Sequence, residues 1–135
     1  MSTTKYSDFD IDFSKNIFTQ DISVKKESNA IRQSVRNIVM TRKGEKPFRR
    51  GFGVGLHSHL FENMSGGLAL ASLRSDIQNQ LIAHEPRVVL TDVLIDETLM
   101  DSNQLSITIE YKIIKESDIP SSPVDRITIA VTKVR

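Results

Sequence analysis

Apolar and polar positions along the chain follow two periods, and the change from one to the other divides it into elements. Between Glu27 and Met40, Ile31, Val35, Ile38 and Val39 fall at i, i+4, i+7 and i+8 while Arg32, Gln33, Arg36 and Asn37 face away, which predicts an amphipathic helix. A second stripe, Leu70, Leu73, Ile77 and Leu81, predicts another helix, N-capped by Ser65 and running to about His84. Glu85-Pro86 ends it, because proline disfavours helical geometry in the residue before it and has no N–H to donate. Downstream the period shortens to two. Leu105, Ile107, Ile109, Tyr111 and Ile113 alternate with polar residues, as do Ile127, Ile129 and Val131. Val88 to Asp96 is a β-branched run, apolar on both faces for part of its length. With turns at Met100–Asn103 and Ile119–Val124, the expected fold class is α+β: two main helices packed on one face of a small antiparallel sheet, a three-stranded C-terminal meander.

The N-terminal stretch is different. Asp8-Phe9-Asp10-Ile11-Asp12-Phe13 has strand periodicity, but three acids on one face must stay wet, so residues 1–22 are expected to form an extended arm or edge strand. Residues 23–135 then form a single domain. Between the helices, residues 41–55 hold four of the six glycines and a proline, which predicts a repeatedly turning, structured loop, pinned to the core by Phe48 and Phe52. A short helical stretch is expected near Leu56 to Asn63.

Composition narrows the function classes. At 135 residues the chain is one domain's worth, and no run of 18 or more apolar residues exists to span a bilayer, so no membrane partner is expected. The first residues lack the apolar core of a secretory signal, and folding in a cytoplasm is the expectation. There is no cysteine, which removes disulfides, thiolate metal sites and cysteine nucleophiles together. A net charge of +1, no Trp and two Tyr argue against nucleic acid as a partner, because neither a basic field nor base-stacking platforms are supplied. Gly51-x-Gly53-x-Gly55 lacks both phosphate-loop patterns and has no strand before it.

Candidate chemistry is sparse. His57 and His59 sit two apart and His84 is remote, without the spacing of a metal site. Glu62, Asp76, Glu85, Asp92 and Asp96 are nominal acids for a glycosidase, the alternative reading as a peptidoglycan hydrolase, but their spacing selects no pair. Neither a cofactor nor a catalytic residue is expected. Glu85-Pro86-Arg87 stands out because Glu85 lies at the negative pole of a helix and needs a cation or donor to hold it. Arg87 fills that role within the chain, or both face a partner; spacing leaves the two readings equal. The last strand, Asp125 to Val134, ends the chain with an edge that no later element covers, which suits strand addition there. Arg126, Thr128, Ile129 and Lys133 are its partner-facing candidates, and Arg126, Lys133 and Arg135 discourage self-pairing.

Four segments together resemble a known family: Thr41-Arg-Lys-Gly-Glu-Lys-Pro-Phe48 with Phe52-Gly53, Leu60-Phe-Glu-Asn-Met64, the helix to His84, and Glu85-Pro-Arg87. In this order and at these intervals they are similar to the baseplate wedge and sheath-initiator proteins of T-even-like contractile phages. Relatives include the type VI secretion baseplate component once called lysozyme-like. The chain departs from the family's pattern at Arg49-Arg50, where an acid and a proline are common, and at His84, where an aromatic is common. The resemblance implies a non-enzymatic role in the tail baseplate of a virion assembled in the host cytoplasm. It implies docking of the tripeptide region, with Arg42 in the loop motif, on the larger baseplate wedge proteins. It also implies a sheet edge on which the tail sheath protein starts to assemble, with tail tube or hub proteins as further partners. A small intracellular adaptor domain resembles the same family and is a second alternative.

Overall fold

The computed structural model describes residues 7–26, 28–59, 67–96, 104–114 and 124–132. Helix α1 (Ser28–Met40) buries Ala30, Ile31, Val35, Ile38 and Val39, the expected stripe with one addition. A four-residue helix, α2 (Leu56–His59), follows the loop, and α3 (Gly67–His84) buries Leu70, Leu73, Ile77 and Leu81. The N-cap expected at Ser65 and the motif Leu60–Met64 lie outside the described residues.

The helices cover one face of a sheet made of β3 (Val88–Asp96), β4 (Gln104–Ile113) and β5 (Val124–Thr132), antiparallel in the order β3-β4-β5. This is the α+β architecture expected from the sequence. On the covered face Leu105, Ile107, Ile109 and Tyr111 of β4 meet Ile127, Ile129 and Val131 of β5 in one apolar cluster with both helices. The opposite face carries Ser106, Thr108 and Glu110 beside Arg126, Thr128 and Ala130. Strand β3 explains its own two-faced sequence. Its register with β4 shifts between Leu90 and Asp92, leaving Thr91 without an opposite number. One extra residue inverts the side-chain alternation, so Val88 and Leu90 before the bulge, and Val93 and Ile95 after it, all reach the core.

Residues 7–26 form a hairpin. Strand β1 (Ser7–Phe9) pairs antiparallel with β2 (Val24–Lys26), and an isolated bridge joins Lys15 to Ile22 farther out. The alternating acids therefore do not continue as one wet-faced strand. Asp10 is only 6% exposed and stitches an excursion of the chain: its carboxylate accepts from the Asp12 N–H and the Ser14 hydroxyl and lies 3.2 Å from Lys25 Nζ. At the tip, Asn16 Oδ1 accepts from the Phe18 and Thr19 N–H groups, and the turn holds Ile17 and Phe18 out at 87% and 96% exposure.

Two glutamine amides fasten peripheral segments to the helices. Gln33 of α1 donates to the Phe9 carbonyl at 2.6 Å and accepts from the Ile11 N–H, holding the hairpin base. Gln80 of α3 donates to the Gly51 carbonyl and accepts from the Gly53 N–H, both at 2.9 Å, holding the loop. Gly53 has φ +97°, and a Cβ there would collide with the Thr41 carbonyl oxygen, so this close crossing requires glycine. Only one of the two aromatics expected to pin the loop does so. Phe52 is half-buried, with its ring centroid 4.8 Å from that of His84 and Lys46 Nζ 4.1 Å above it. Phe48 has φ +63°, which turns its side chain fully into solvent.

Candidate functional site

The junction between α3 and β3 is built around a buried carboxylate. Glu85 is 1% exposed, its N–H donates to the Leu81 carbonyl as the helix closes, and Pro86 then sends the chain outward. Arg87 returns to meet Glu85 with two hydrogen bonds, Nε to Oε1 at 2.5 Å and Nη2 to Oε2 at 2.6 Å. Ser34 of α1 donates a third, Oγ to Oε2 at 2.5 Å. The Arg87 carbonyl accepts from the Ile114 N–H, so one tripeptide ties together both helices and the end of β4. Burial alone would raise the Glu85 carboxyl pKa. The hydrogen bonds from Arg87 and Ser34 and the guanidinium charge outweigh it and hold the group below the ordinary glutamate value.

That direction bears on catalysis. A glycosidase acid must be held protonated by a raised pKa, and Glu85 is shifted the other way. Asp76 is paired with Lys43 at 3.1 Å and Asp92 accepts from the Val93 N–H. Among the described residues no group of three or more His, Asp or Glu is placed to hold a metal ion, and no helix is long and apolar enough to cross a membrane.

Beside the junction lies an open groove of about 570 Å³ between the hairpin, α1 and the loop, with Ile38, Phe52 and Ile11 as apolar lining and Lys46, Arg49 and Glu45 as charged lining. His84 and Ser34 reach the same groove, so it adjoins the Glu85–Arg87 pair. Arg87 is 32% exposed, while its partner Glu85 is 1% exposed. Arg42 lies exposed in the neighbouring loop, where its N–H donates to Glu45 Oε2 and the Glu45 N–H donates back to the Arg42 carbonyl.

The remaining candidates lie on β5, which has no strand on its outer side among the described residues. The Arg126 N–H donates to Asp125 Oδ1 at 2.9 Å, so the ladder to β4 leaves it free. Backbone direction alternates with period two, which turns the N–H and C=O of Thr128 and Ala130 outward as well. Strand β3 follows the same rule: the Val93 N–H donates to Asp92 Oδ1 at 2.7 Å on the opposite edge. Ile129 is placed otherwise. Its side chain is core and its backbone faces β4, so Thr128 is the member of that pair that meets the edge. Lys133 lies outside the described residues. Sequence reasoning missed Ser34 and Asp125, polar residues whose partners are remote in the chain and leave no periodic signal.

Comparison with known proteins places this geometry. The family model described as Baseplate wedge protein gp25 matches residues 25–118. Baseplate wedge protein gp25 of Enterobacteria phage T4 is 31% identical over 113 residues, covering 84% of this chain and 83% of that protein. A chain in the cryo-EM structure of the anti-feeding prophage baseplate is 26% identical with a TM-score of 0.70, over 84% of this chain and 89% of that one. The crystal structure of a protein described as a putative tail lysozyme from Geobacter sulfurreducens is 25% identical with a TM-score of 0.63, over 78% and 89%. The chain therefore belongs to the baseplate wedge protein gp25 family of contractile tails.

Proposed function

We propose that this chain is a structural wedge subunit of a contractile-tail baseplate that docks on the larger wedge proteins and starts sheath assembly at the edge of β5. Docking uses the Glu85-Pro86-Arg87 junction and the adjoining groove, with Arg42 at its margin. Glu85 contributes from inside by fixing the guanidinium of Arg87, while Arg87 and Pro86 present the surface. The subunit resides in the virion tail, having assembled in the host cytoplasm, and performs no catalysis.

The observation that carries the sheath assignment is a difference between the two sheet edges. Strand β3 is interrupted by a bulge at Thr91 and has the Asp92 carboxylate sitting on its Val93 N–H, and α3 packs along it. Bulges and acids of this kind protect an edge from incoming strands. Strand β5 keeps unbroken register from Val124 to Thr132. An edge with regular, unpaired N–H and C=O groups is the one that accepts a strand.

Thr128→Pro removes one outward donor from this edge, whereas Thr128→Val keeps it. Folded Thr128→Pro subunits should enter baseplates that fail to grow sheath, seen by electron microscopy, while Thr128→Val baseplates carry normal sheaths. Normal sheaths on Thr128→Pro baseplates would assign initiation to another edge. The solved structure described as a putative tail lysozyme keeps one second reading in view, a peptidoglycan hydrolase. Zymography decides it: the purified chain should clear no peptidoglycan from acid to neutral pH.

A further inference from the structure

We propose that the Arg32–Asp125 pair is a register stop that keeps the added strand from pairing past Thr128 toward the start of β5. The inference rests on the strand-addition reading and adds where such a strand must end and what it must carry.

Asp125 stands at the start of β5 and is held from two sides. Arg32 of α1 reaches Oδ1 at 2.5 Å, and the Tyr111 hydroxyl of the central strand approaches Oδ2 at 3.5 Å. So anchored, Oδ1 also takes the Arg126 N–H, an outward donor near the start of the strand. An incoming carbonyl at Arg126 would have to displace a carboxylate that is already neutralised and fixed, exchanging a charge-assisted bond for a neutral one. Beyond it the obstruction ends, since no side-chain acceptor meets the N–H of Thr128 or Ala130 among the described residues. The same device on β3 sits mid-strand beside a bulge and closes that edge; on β5 it sits at one end and bounds it.

The partner's chemistry follows. From Thr128 to Thr132, the last described residue of the strand, the edge offers about 17 Å of extended chain to pair with. On the covered face the added strand runs beside Ile129 and Val131, and so carries apolar or β-branched residues at alternate positions. On the open face it meets Thr128 and Ala130, and so carries small or hydroxyl residues there. An acid opposite Arg126 is not required, because Arg126 Nε already bonds Glu110 Oε1 at 2.7 Å across the sheet. The occupant is an extended arm of the tail sheath protein, uncharged where it faces residues 128–132.

The chain has no cysteine, so Val124→Cys, Thr128→Cys and Ala130→Cys each accept a single nitroxide label. Baseplates carrying each label are compared by electron spin resonance before and after the sheath protein is added. Labels at 128 and 130 should broaden and the label at 124 should not. Adding Asp125→Ala to the Val124→Cys chain, after circular dichroism confirms the fold, should make the label at 124 broaden too, as the added strand extends past the freed Arg126 N–H. Broadening at 124 in the chain with Asp125 intact overturns the stop while leaving strand addition standing. No broadening at 128 or 130 overturns strand addition at β5, and the stop with it. A label at 124 that stays sharp with Asp125→Ala shows that something other than this carboxylate ends the ladder.

Discussion

Arg87 closes a two-point fork on Glu85, Nε to Oε1 and Nη2 to Oε2, across a single intervening proline. The fork converts what would be an unfavourable anion at a helix C-terminus into the fixed point of the α3–β3 junction. Arg87→Ala leaves that carboxylate buried and short of its cation, and should cost about 2–4 kcal/mol, towards the lower end because Arg87 is itself a third exposed. Arg87→Lys should recover only part, since an ammonium cannot reproduce the planar fork. Urea denaturation of the single and double variants should give a coupling energy above about 1 kcal/mol between positions 85 and 87. Additive losses would show the fork to be energetically idle.

Stability should fall in acid with a sign set by Glu85. Its folded pKa lies below the ordinary value, so its contribution is present above the unfolded-state pKa and is lost as pH falls through the folded one. Asp10 follows the same direction: burial would raise it, and Lys25, the Asp12 N–H and Ser14 together bring it down. Melting temperature should therefore be level near neutrality and decline as pH falls through the normal carboxylate range and below it. Glu85→Gln should lower the plateau and flatten the decline, which a pH series of thermal melts would read.

Deleting Thr91 should be among the most damaging changes to the sheet. Without the bulged residue, either Val88 and Leu90 or Val93 and Ile95 must turn to the solvent face. Two aliphatic side chains, at least one of them only half-buried, correspond to at most about 3–6 kcal/mol. Equilibrium unfolding measures it, and a loss under about 1 kcal/mol would mean that the strand re-registers freely.

At the hairpin tip the expectation is reversed. Ile17→Ser with Phe18→Ser should change stability by no more than about 0.5 kcal/mol, because neither side chain is packed. Leu73→Ala in α3, fully buried, should cost about 2–5 kcal/mol under the same denaturant series.

The sequence made the helices and the sheet legible because their information is local. Ile31, Val35, Ile38 and Val39 recur at helical spacing and all are buried; Leu105 to Tyr111 and Ile127 to Val131 alternate and do the same. The need of Glu85 for a cation could also be read, from its place at a helix end. The strand periodicity at Asp8–Phe13 marked an arm or edge strand but not its hairpin partner, since the two strands are joined by 14 residues and the key residue, Asp10, is buried through polar partners at positions 12, 14 and 25. Phe48 was misread for a similar reason: its direction is set by a positive φ that an apolar count cannot express. The bulge at Thr91 left a trace in the two-faced strand, but that pattern alone also fits a strand buried on both sides.

The two glutamine joints differ from the ion pairs in how they respond to the solution around them. Links such as Lys43–Asp76 and Arg32–Asp125 weaken as ionic strength rises, and carboxylate contacts fail when protonated. An amide has no charge to screen and no proton to gain across that range. Gln33 and Gln80 therefore hold the hairpin base and the glycine loop with the same grip in dilute buffer, in concentrated salt and in mild acid.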